Sequence, residues 1–317
     1  MIDVVALGEL LIDLTCIGAD GDGYPTLAAH PGGAPANYLA ALARFGAGTA
    51  MLGKVGQDAF GRLLVGTLKK AGVETRGVVV SGDVFTTLAF VTLDETGNRE
   101  FSFARKPGAD VCLSFEELDL GLIDEAKVLH FGALSLTGEP ARTATRRAVA
   151  YAKEKGKLIS YDPNLRKPLW PSLEEAREQL LWGLDQADVV KISDEEVAFL
   201  FGLKPEAGAE RILKEHGAKL VFVTCGANGC LYRNPNAGGS VPALEGVRVV
   251  DTTGAGDIFG GSAMWKLLAL NKPPESLSRR ELEEVARFAS ASAGLSATRP
   301  GGISSVPDYD EVLARLQ

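Results

Sequence analysis

Cysteine and histidine are scarce in this sequence: four of the first (Cys16, Cys112, Cys225, Cys230) and three of the second among 317 residues. The cysteines are scattered and no CxxC pair occurs. A disulfide scaffold and a zinc site are therefore not expected, and reduced thiols in the cytoplasm are. Long apolar runs are missing as well. No uninterrupted stretch approaches the roughly 18–20 residues that would span a bilayer. The chain opens directly on Val4-Val5-Ala6-Leu7 with no basic segment ahead of it, so no signal peptide is expected either. Positive charge is in deficit, 33 Lys and Arg against 41 Asp and Glu for a net charge of −8, and no basic cluster appears. That speaks against nucleic acid or an anionic membrane as the partner. Repeats, low-complexity tracts and long linkers are absent. So is the P-loop pattern G-x-x-x-x-G-K-[ST]. The dinucleotide fingerprint G-x-G-x-x-G is missed by one position, since Gly254 and Gly256 are followed by Gly260.

What remains is an ordinary globular composition, 46% hydrophobic and 23% charged, and a pattern of alternating elements. Short apolar runs that read as buried strands (Ile2–Leu7, Thr49–Val55, Val128–Phe131, Leu158–Tyr161, Val189–Ile192, Leu220–Thr224) are separated by helix-period segments. This predicts an α/β fold: a doubly wound, mostly parallel sheet with helices on both faces. Phe85–Leu93 and Arg99–Phe103 break the alternation around Asp94-Glu95-Thr96-Gly97-Asn98, which reads as a hairpin loop, so a separate small sheet is expected there.

The chemistry is expected at Asp251-Thr252-Thr253-Gly254-Ala255-Gly256-Asp257, between an apolar run Val247–Val250 read as a strand and a helix from Ile258 to Leu270. A glycine turn opening a helix makes an anion site, because amides converge there and the helix dipole adds partial positive charge. Asp257 at its end would repel a resting phosphate. It suits a base that meets an acceptor hydroxyl where a phosphoryl group is transferred, or else it is a plain N-cap. Asp13, alone among apolar residues, reads as a solvent-facing residue or a ligand for a sugar hydroxyl. Gly32-Gly33 with Asn37 reads as a ligand approach or an ordinary loop-to-helix junction. Arg105 and Lys106 could reach an anion or could simply be solvated. Glu196 is a dipole-favoured acid at a helix start, or a carboxylate for hydrated magnesium. Gly226 and Gly229 leave room for a nucleotide. Ligands in such sheets sit at the carboxyl ends of strands, and Gly8, Asp162, Ser193, Gly226 and Gly254 all fall there in this reading.

Together these residues resemble the PfkB (ribokinase-like) carbohydrate kinases over essentially the full length. Within that family the chain looks most like bacterial fructokinases. Asp251 to Gly261 matches the C-terminal signature D-T-x-G-A-G-D, and Gly32-Gly33 with Asn37 matches the N-terminal one. The sugar is carried by Phe101–Arg105 with Gly108-Ala109-Asp110, by Asp162–Arg166 and by Lys191–Glu196. The resemblance implies one ribokinase-like domain over residues 1–317 with a β lid from about 10–32 and 84–106. It implies ATP-dependent phosphorylation of a primary hydroxyl of a small sugar, most like fructose. Ribokinase and 2-keto-3-deoxygluconate kinase are the alternatives within the family, and a catalytically silent sugar- or nucleotide-binding regulator is the alternative outside it. On matching positions Asp257 is the base, with Gly254, Ala255 and Gly256 as the anion hole. Asp13, Gly32, Gly33, Asn37, Arg105 and Arg166 bind substrate. Lys191, Ser193, Thr224, Gly226, Gly229 and Ser290 serve the nucleotide. Glu196 holds Mg2+ through water, and Asp251, Thr253, Ser296, Arg299, Gly301 and Ser305 correspond to a potassium site. ATP, Mg2+ and K+, a cytoplasmic location and a homodimer through the lid are implied in the same way. Ser193, Ala104 and Ser290 depart from the family's Asn, Tyr and Asn.

Overall fold

The computed structural model describes residues 2–93 and 99–316, with the backbone alone for 92, 93 and 99–101. The chain opens on β1 (Val4–Leu7) and leaves the main sheet at once for β2 (Leu11–Ala19) and β3 (Pro25–Gly32), an antiparallel pair. Next come α1 (Ala34–Arg44), β4 (Thr49–Gly56), α2 (Ala59–Lys70), β5 (Val73–Glu74) and β6 (Val78–Ser81). A second excursion follows, β7 (Thr87–Leu93) and β8 (Arg99–Ala104), again antiparallel. Strands and helices then alternate through α3 (Leu120–Glu125), β9 (Val128–Gly132), α4 (Ala141–Glu154), β10 (Leu158–Asp162), α5 (Leu173–Gln186), β11 (Val189–Ser193), α6 (Asp194–Phe201), α7 (Pro205–Glu215) and β12 (Leu220–Thr224). The hairpin of β13 (Cys230–Arg233) and β14 (Gly238–Val241) precedes α8 (Ala255–Leu270), α9 (Arg279–Ser296) and α10 (Tyr309–Ala314).

The main sheet runs β14-β13-β12-β11-β10-β9-β1-β4-β5, with β6 also pairing β4. From β12 to β5 every pairing is parallel, and only the β13–β14 hairpin at one edge is antiparallel. Side-chain alternation divides the apolar residues between two cores. Val4 and Ala6 of β1 and Leu220 and Phe222 of β12 face one layer, and Val5, Leu7, Val221 and Val223 face the other. Strands buried on both faces read as continuous apolar runs, which is why the sequence marks them so clearly. The excursions join through a parallel β2–β7 pair into a second sheet, β3-β2-β7-β8. The expected hairpin loop Asp94–Asn98 and the side chain of Phe101 lie outside the described residues.

One expected strand does not form. Val247–Val250 is coil, with Val249 and Val250 59% and 57% exposed. These valines have no strand beside them to complete a ladder; Val250 N–H bonds instead to the Ala297 carbonyl at the end of α9. The glycine turn is therefore reached from a loop, not from a strand. The Gly- and Asp-rich turn between β2 and β3 is short, because β2 continues to Ala19 and β3 starts at Pro25.

Candidate active site

The N-terminus of α8 is built by its neighbours. Asp251 fixes the approach: its Oδ1 accepts the Thr253 N–H (2.9 Å) and hydroxyl (2.7 Å), and its Oδ2 accepts the Gly301 N–H (2.9 Å). Gly254 is the N-cap, left-handed at φ 75°, and a Cβ there would sit 2.9 Å from Gly302 Cα and 3.0 Å from Asn37 Nδ2. Glycine meets both demands. Asp257 is consequently inside the first turn and is not the cap. The Ala255 N–H closes a turn on the Thr252 carbonyl (3.2 Å).

α8 packs against α1 and α9, and a Cβ at Gly261 would lie 2.3 Å from the Tyr38 carbonyl oxygen. That close crossing brings Asn37, buried in the first turn of α1, to Asp257: its Nδ2 donates to Oδ2 at 2.8 Å. Burial raises the Asp257 pKa above the ordinary carboxylate value, and Glu196 pushes the same way. The Lys191 charge, the Asn37 hydrogen bond and Arg166 oppose the shift. A carboxyl held this way is a stronger base than a free aspartate.

Two cavities meet at this helix start. One, about 370 Å³, is lined by Glu9, Asp13, Gly33, Asn37, Asn164, Arg166, Gly254 and Asp257, with Leu11, Val91 and Phe103 of the small sheet forming one wall. The other, about 560 Å³, is lined by Thr224, Gly226, Gly229, Ser290, the half-buried Val247 and the exposed Val249, and Ala255 and Gly256. Thr252 borders both. The first has the volume of a monosaccharide site and three carboxyl groups against one guanidinium. Burial raises Asp13 to about 6, with Asp257 and Asp251 adding to the shift and Arg166 opposing it. The second is larger and more apolar, as a nucleotide base would want.

A model of the pfkB family carbohydrate kinases matches residues 1–309. The chain belongs to this family. It is 45% identical to fructokinase-1 of Oryza sativa subsp. japonica over 318 residues, which span 99% of this chain and 97% of that one. Among solved structures it is similar to a fructokinase with bound ATP from Xylella fastidiosa (TM-score 0.91, 32% identity, 99% and 98% of the two chains). It is also similar to a double-mutant fructokinase from Vibrio cholerae O395 in a fructose-, ADP- and potassium-bound form (TM-score 0.88, 32% identity, 100% and 99%). The architecture is accordingly the ribokinase-like one, and the protein is a sugar kinase.

Against this family frame the expected residues divide. Asp13, Gly33, Asn37, Arg166, Gly254 and Asp257 gather around the smaller cavity, and Gly32 lies behind Asp13, whose Oδ2 is 2.7 Å from where a Gly32 Cβ would be. Arg105 does not line the cavity. It is 8% exposed and bonds Asp110 through Nε (2.8 Å) and Nη2 (2.7 Å), Thr137 (2.7 Å) and the Leu134 carbonyl (3.1 Å). With that many buried partners it acts as a brace behind the wall. Thr224, Gly226, Gly229 and Ser290 line the larger cavity, whereas Lys191 and Ser193 do not. Lys191 is buried against Asp162 (2.9 Å), with its Nζ 2.9 Å from where a Gly256 Cβ would be. Burial pulls its pKa down, but Asp162, Glu196 and Asp257 outweigh that and keep it an ammonium ion. Ser193 caps α6 in a reciprocal pair with Glu196, the role that the missing Asn leaves it. Glu196 Oε1 accepts the Leu165 N–H (2.7 Å) and Oε2 the Ser193 N–H (2.9 Å).

The six residues of the expected potassium set do not all converge in side-chain terms. Asp251, Thr253 and Gly301 are bonded together, as above. Ser305 turns its hydroxyl to the Gly302 carbonyl (2.8 Å), Ser296 turns its own to Ala293 (2.8 Å), and Arg299 sends its guanidinium to Glu311. Three lining or supporting residues went unassigned in the sequence. Glu9 looked like one more polar residue after a strand. Asn164 was hidden within its motif, although Asn at a left-handed position (φ 44°) is a usable signal. Asp162 has a buried Oδ1 without a partner.

Proposed function

We propose that this protein is a cytoplasmic, ATP-dependent fructokinase, a single domain whose small sheet is the lid over the sugar. The carrying observation is the shared wall: residues 252–257 border a sugar-sized cavity on one side and a nucleotide-sized cavity on the other, with Asp257 on the sugar side. Fructose bound beside Asp257 would present a primary hydroxyl to its carboxylate. Asp257 takes that proton as the oxygen attacks the γ-phosphorus and the bond to the β-phosphate oxygen breaks. The turn of Gly254, Ala255 and Gly256 and the dipole of α8 stabilise the charge that develops. Lys191 adds a fixed positive charge beside Gly256. Asp13, Asn37 and Arg166 orient the sugar, while Thr224, Gly226, Gly229 and Ser290 receive the nucleotide.

A neutral sugar fits better than a sugar acid. Three carboxyl groups line the smaller cavity, Arg105 is already engaged, and Lys106 is exposed away from the wall. Names of relatives agree in direction, since the rice, Xylella and Vibrio proteins are all called fructokinases.

The residues also fit the cations that the reaction calls for. Asp162, which keeps an orphaned buried oxygen beside the Lys191 ammonium, and Glu196 are the carboxyl groups that would hold hydrated Mg2+. Bound there, Mg2+ would neutralise phosphate charge. The oxygen-only donors around Asp251 suit K+, and the Vibrio relative has a potassium-bound form. A homodimer through the lid is favoured by Ile17, Tyr24 and Leu27, exposed on the β2–β3 hairpin at a sheet edge. Among the described residues no helix is long and apolar enough to cross a membrane, and all four cysteines are unpaired. A panel of fructose, ribose, 2-keto-3-deoxygluconate and nucleosides with ATP, read as ADP release, tests the reading. A tenfold higher kcat/KM (about 1.4 kcal/mol) for any acceptor other than fructose would overturn the choice of sugar.

A further inference from the structure

The geometry points to Glu9 as a sugar-contacting residue that sets specificity at the end of the acceptor remote from the transferred phosphoryl group. The assignment rests on the sugar-kinase reading of the same cavity. Glu9 follows β1 directly and is 3% exposed, yet it lines the smaller cavity. Its Oε1 accepts the Ala34 N–H at 2.9 Å, the first amide of α1, whose N-cap Gly33 has no side chain to do so. Its own amide is a second backbone donor to the carboxyl. A carboxylate has about four lone-pair sites, so two such bonds fix its orientation and leave acceptor capacity for a ligand.

The electrostatic surroundings say which end of the cavity this is. The charges acting on Asp13 are Arg166, Asp257 and Asp251, of which the two aspartates flank the start of α8. Those acting on Glu9 are Asp110 and Arg105, the braced pair that holds the carbonyl of Leu134, a residue of the cavity wall. The two carboxyls therefore address different parts of one bound sugar. Burial lifts Glu9 to about 7, its two backbone N–H bonds and Arg105 hold it down, and Asp110 pushes it up. Near neutrality both protonation forms are present, so the group can accept from a hydroxyl or donate to one. An uncharged polar group is what such a site reads best. A phosphate or carboxylate at that end would meet Glu9 with Asp110 behind it.

A role confined to capping α1 would also make Glu9 important, and the test has to separate the two. Fructose has primary hydroxyls at both ends, so of 1-deoxyfructose and 6-deoxyfructose only the one that keeps the reacting hydroxyl is phosphorylated. That analogue lacks the hydroxyl at the far end. The wild-type enzyme should prefer fructose over it by at least about tenfold in kcat/KM, because the analogue leaves a buried polar group unmatched. In Glu9→Ala the preference should collapse towards unity, while a capping role alone would lower both substrates equally and leave the ratio intact. Glu9→Gln keeps an acceptor for Ala34 and substitutes donors for the other oxygen, so its ratio should shift as well. Should the alanine variant fail to fold, the glutamine variant decides alone. An unchanged ratio in the variants that fold, or no preference in the wild type, overturns the assignment. Failure of fructose itself as a substrate would instead overturn the fructokinase reading and this inference with it.

Discussion

At the scale of single residues the site is organised by carboxyl groups whose burial works against stability. Asp257→Asn should leave the fold and nucleotide binding close to wild type and lower kcat at least about 10²-fold, the usual consequence of losing a general base. Turnover within a few-fold of wild type would remove Asp257 from that role. Asp13 gives a pH-dependent expectation. Its folded-state value of about 6 lies above the ordinary 3.8, so the folded protein binds this proton more tightly than the unfolded chain. Stability from this group is therefore present below the unfolded value and lost as pH rises to about 6. Asp13→Asn should melt higher than wild type at pH 8, by an amount on the order of 1–2 kcal/mol, and converge with it below about pH 4. Equal melting curves at pH 8 would show that the ionised carboxyl is not strained. The same substitution should raise the KM for fructose. The residues that the sequence exposes most sharply are those in the two signatures, Asp257, Gly254 and Asn37, whereas Asp13 and Arg166 take a role only from the resemblance. Glu9 escapes because a glutamate after a strand carries no periodic or motif signal, and its cavity exists only once α1 is packed beside β1. Arg105 reads from the residues alone as an anion contact or a solvated cation and reaches the sugar only through the family resemblance, and nothing local reveals Asp110 folding back beneath it.

At the scale of elements the start of α8 depends on a backbone conformation that side chains resist. Gly254→Ala should cost about 1–2 kcal/mol from the left-handed geometry alone. Its Cβ would also press on Asn37 Nδ2, so kcat should fall more than the melting temperature implies. A variant with wild-type kcat would mean the turn tolerates movement. The brace behind the cavity yields a different signature. Arg105→Ala leaves the buried Asp110 without its cation and with the Thr87 hydroxyl as a remaining partner, a loss on the order of 3–5 kcal/mol, and should appear in chemical denaturation. A variant of unaltered stability with only its fructose KM raised would return Arg105 to the sugar. Helices and strands buried on both faces were legible from pattern alone, since β1, β9 and β12 are short apolar runs. Val247–Val250 has the same pattern and is not a strand, because whether an apolar run joins a ladder is decided by partners far away in the chain. Here Val249 and Val250 stay exposed, and Val247 and Val249 lie on the wall of the larger cavity.

At the scale of the whole molecule the α/β architecture follows from alternation, and the second sheet from the two places where alternation stops. What the sequence could not supply is how those places join: β2 and β7, far apart in the chain, pair in parallel and turn two hairpins into one sheet. If the exposed apolar residues of that sheet cover one another in a dimer, Ile17→Lys should shift sedimentation from dimer to monomer. A wild-type monomer at micromolar concentration would dismiss the idea. The joined sheet also behaves as a cantilever. Its root is clamped, with Arg105 on Asp110 and the Thr86 N–H on Asp58 at 2.8 Å, while its strands run outward from the main sheet. A nine-residue strand is about 30 Å long, so a tilt of roughly 10° at the root would swing its far end by about 5 Å. The side chains of Asp13, Val91 and Phe103 would travel much less. Leverage of this kind would let the mouth of the cavity open for exchange while the geometry beside Asp257 hardly changed.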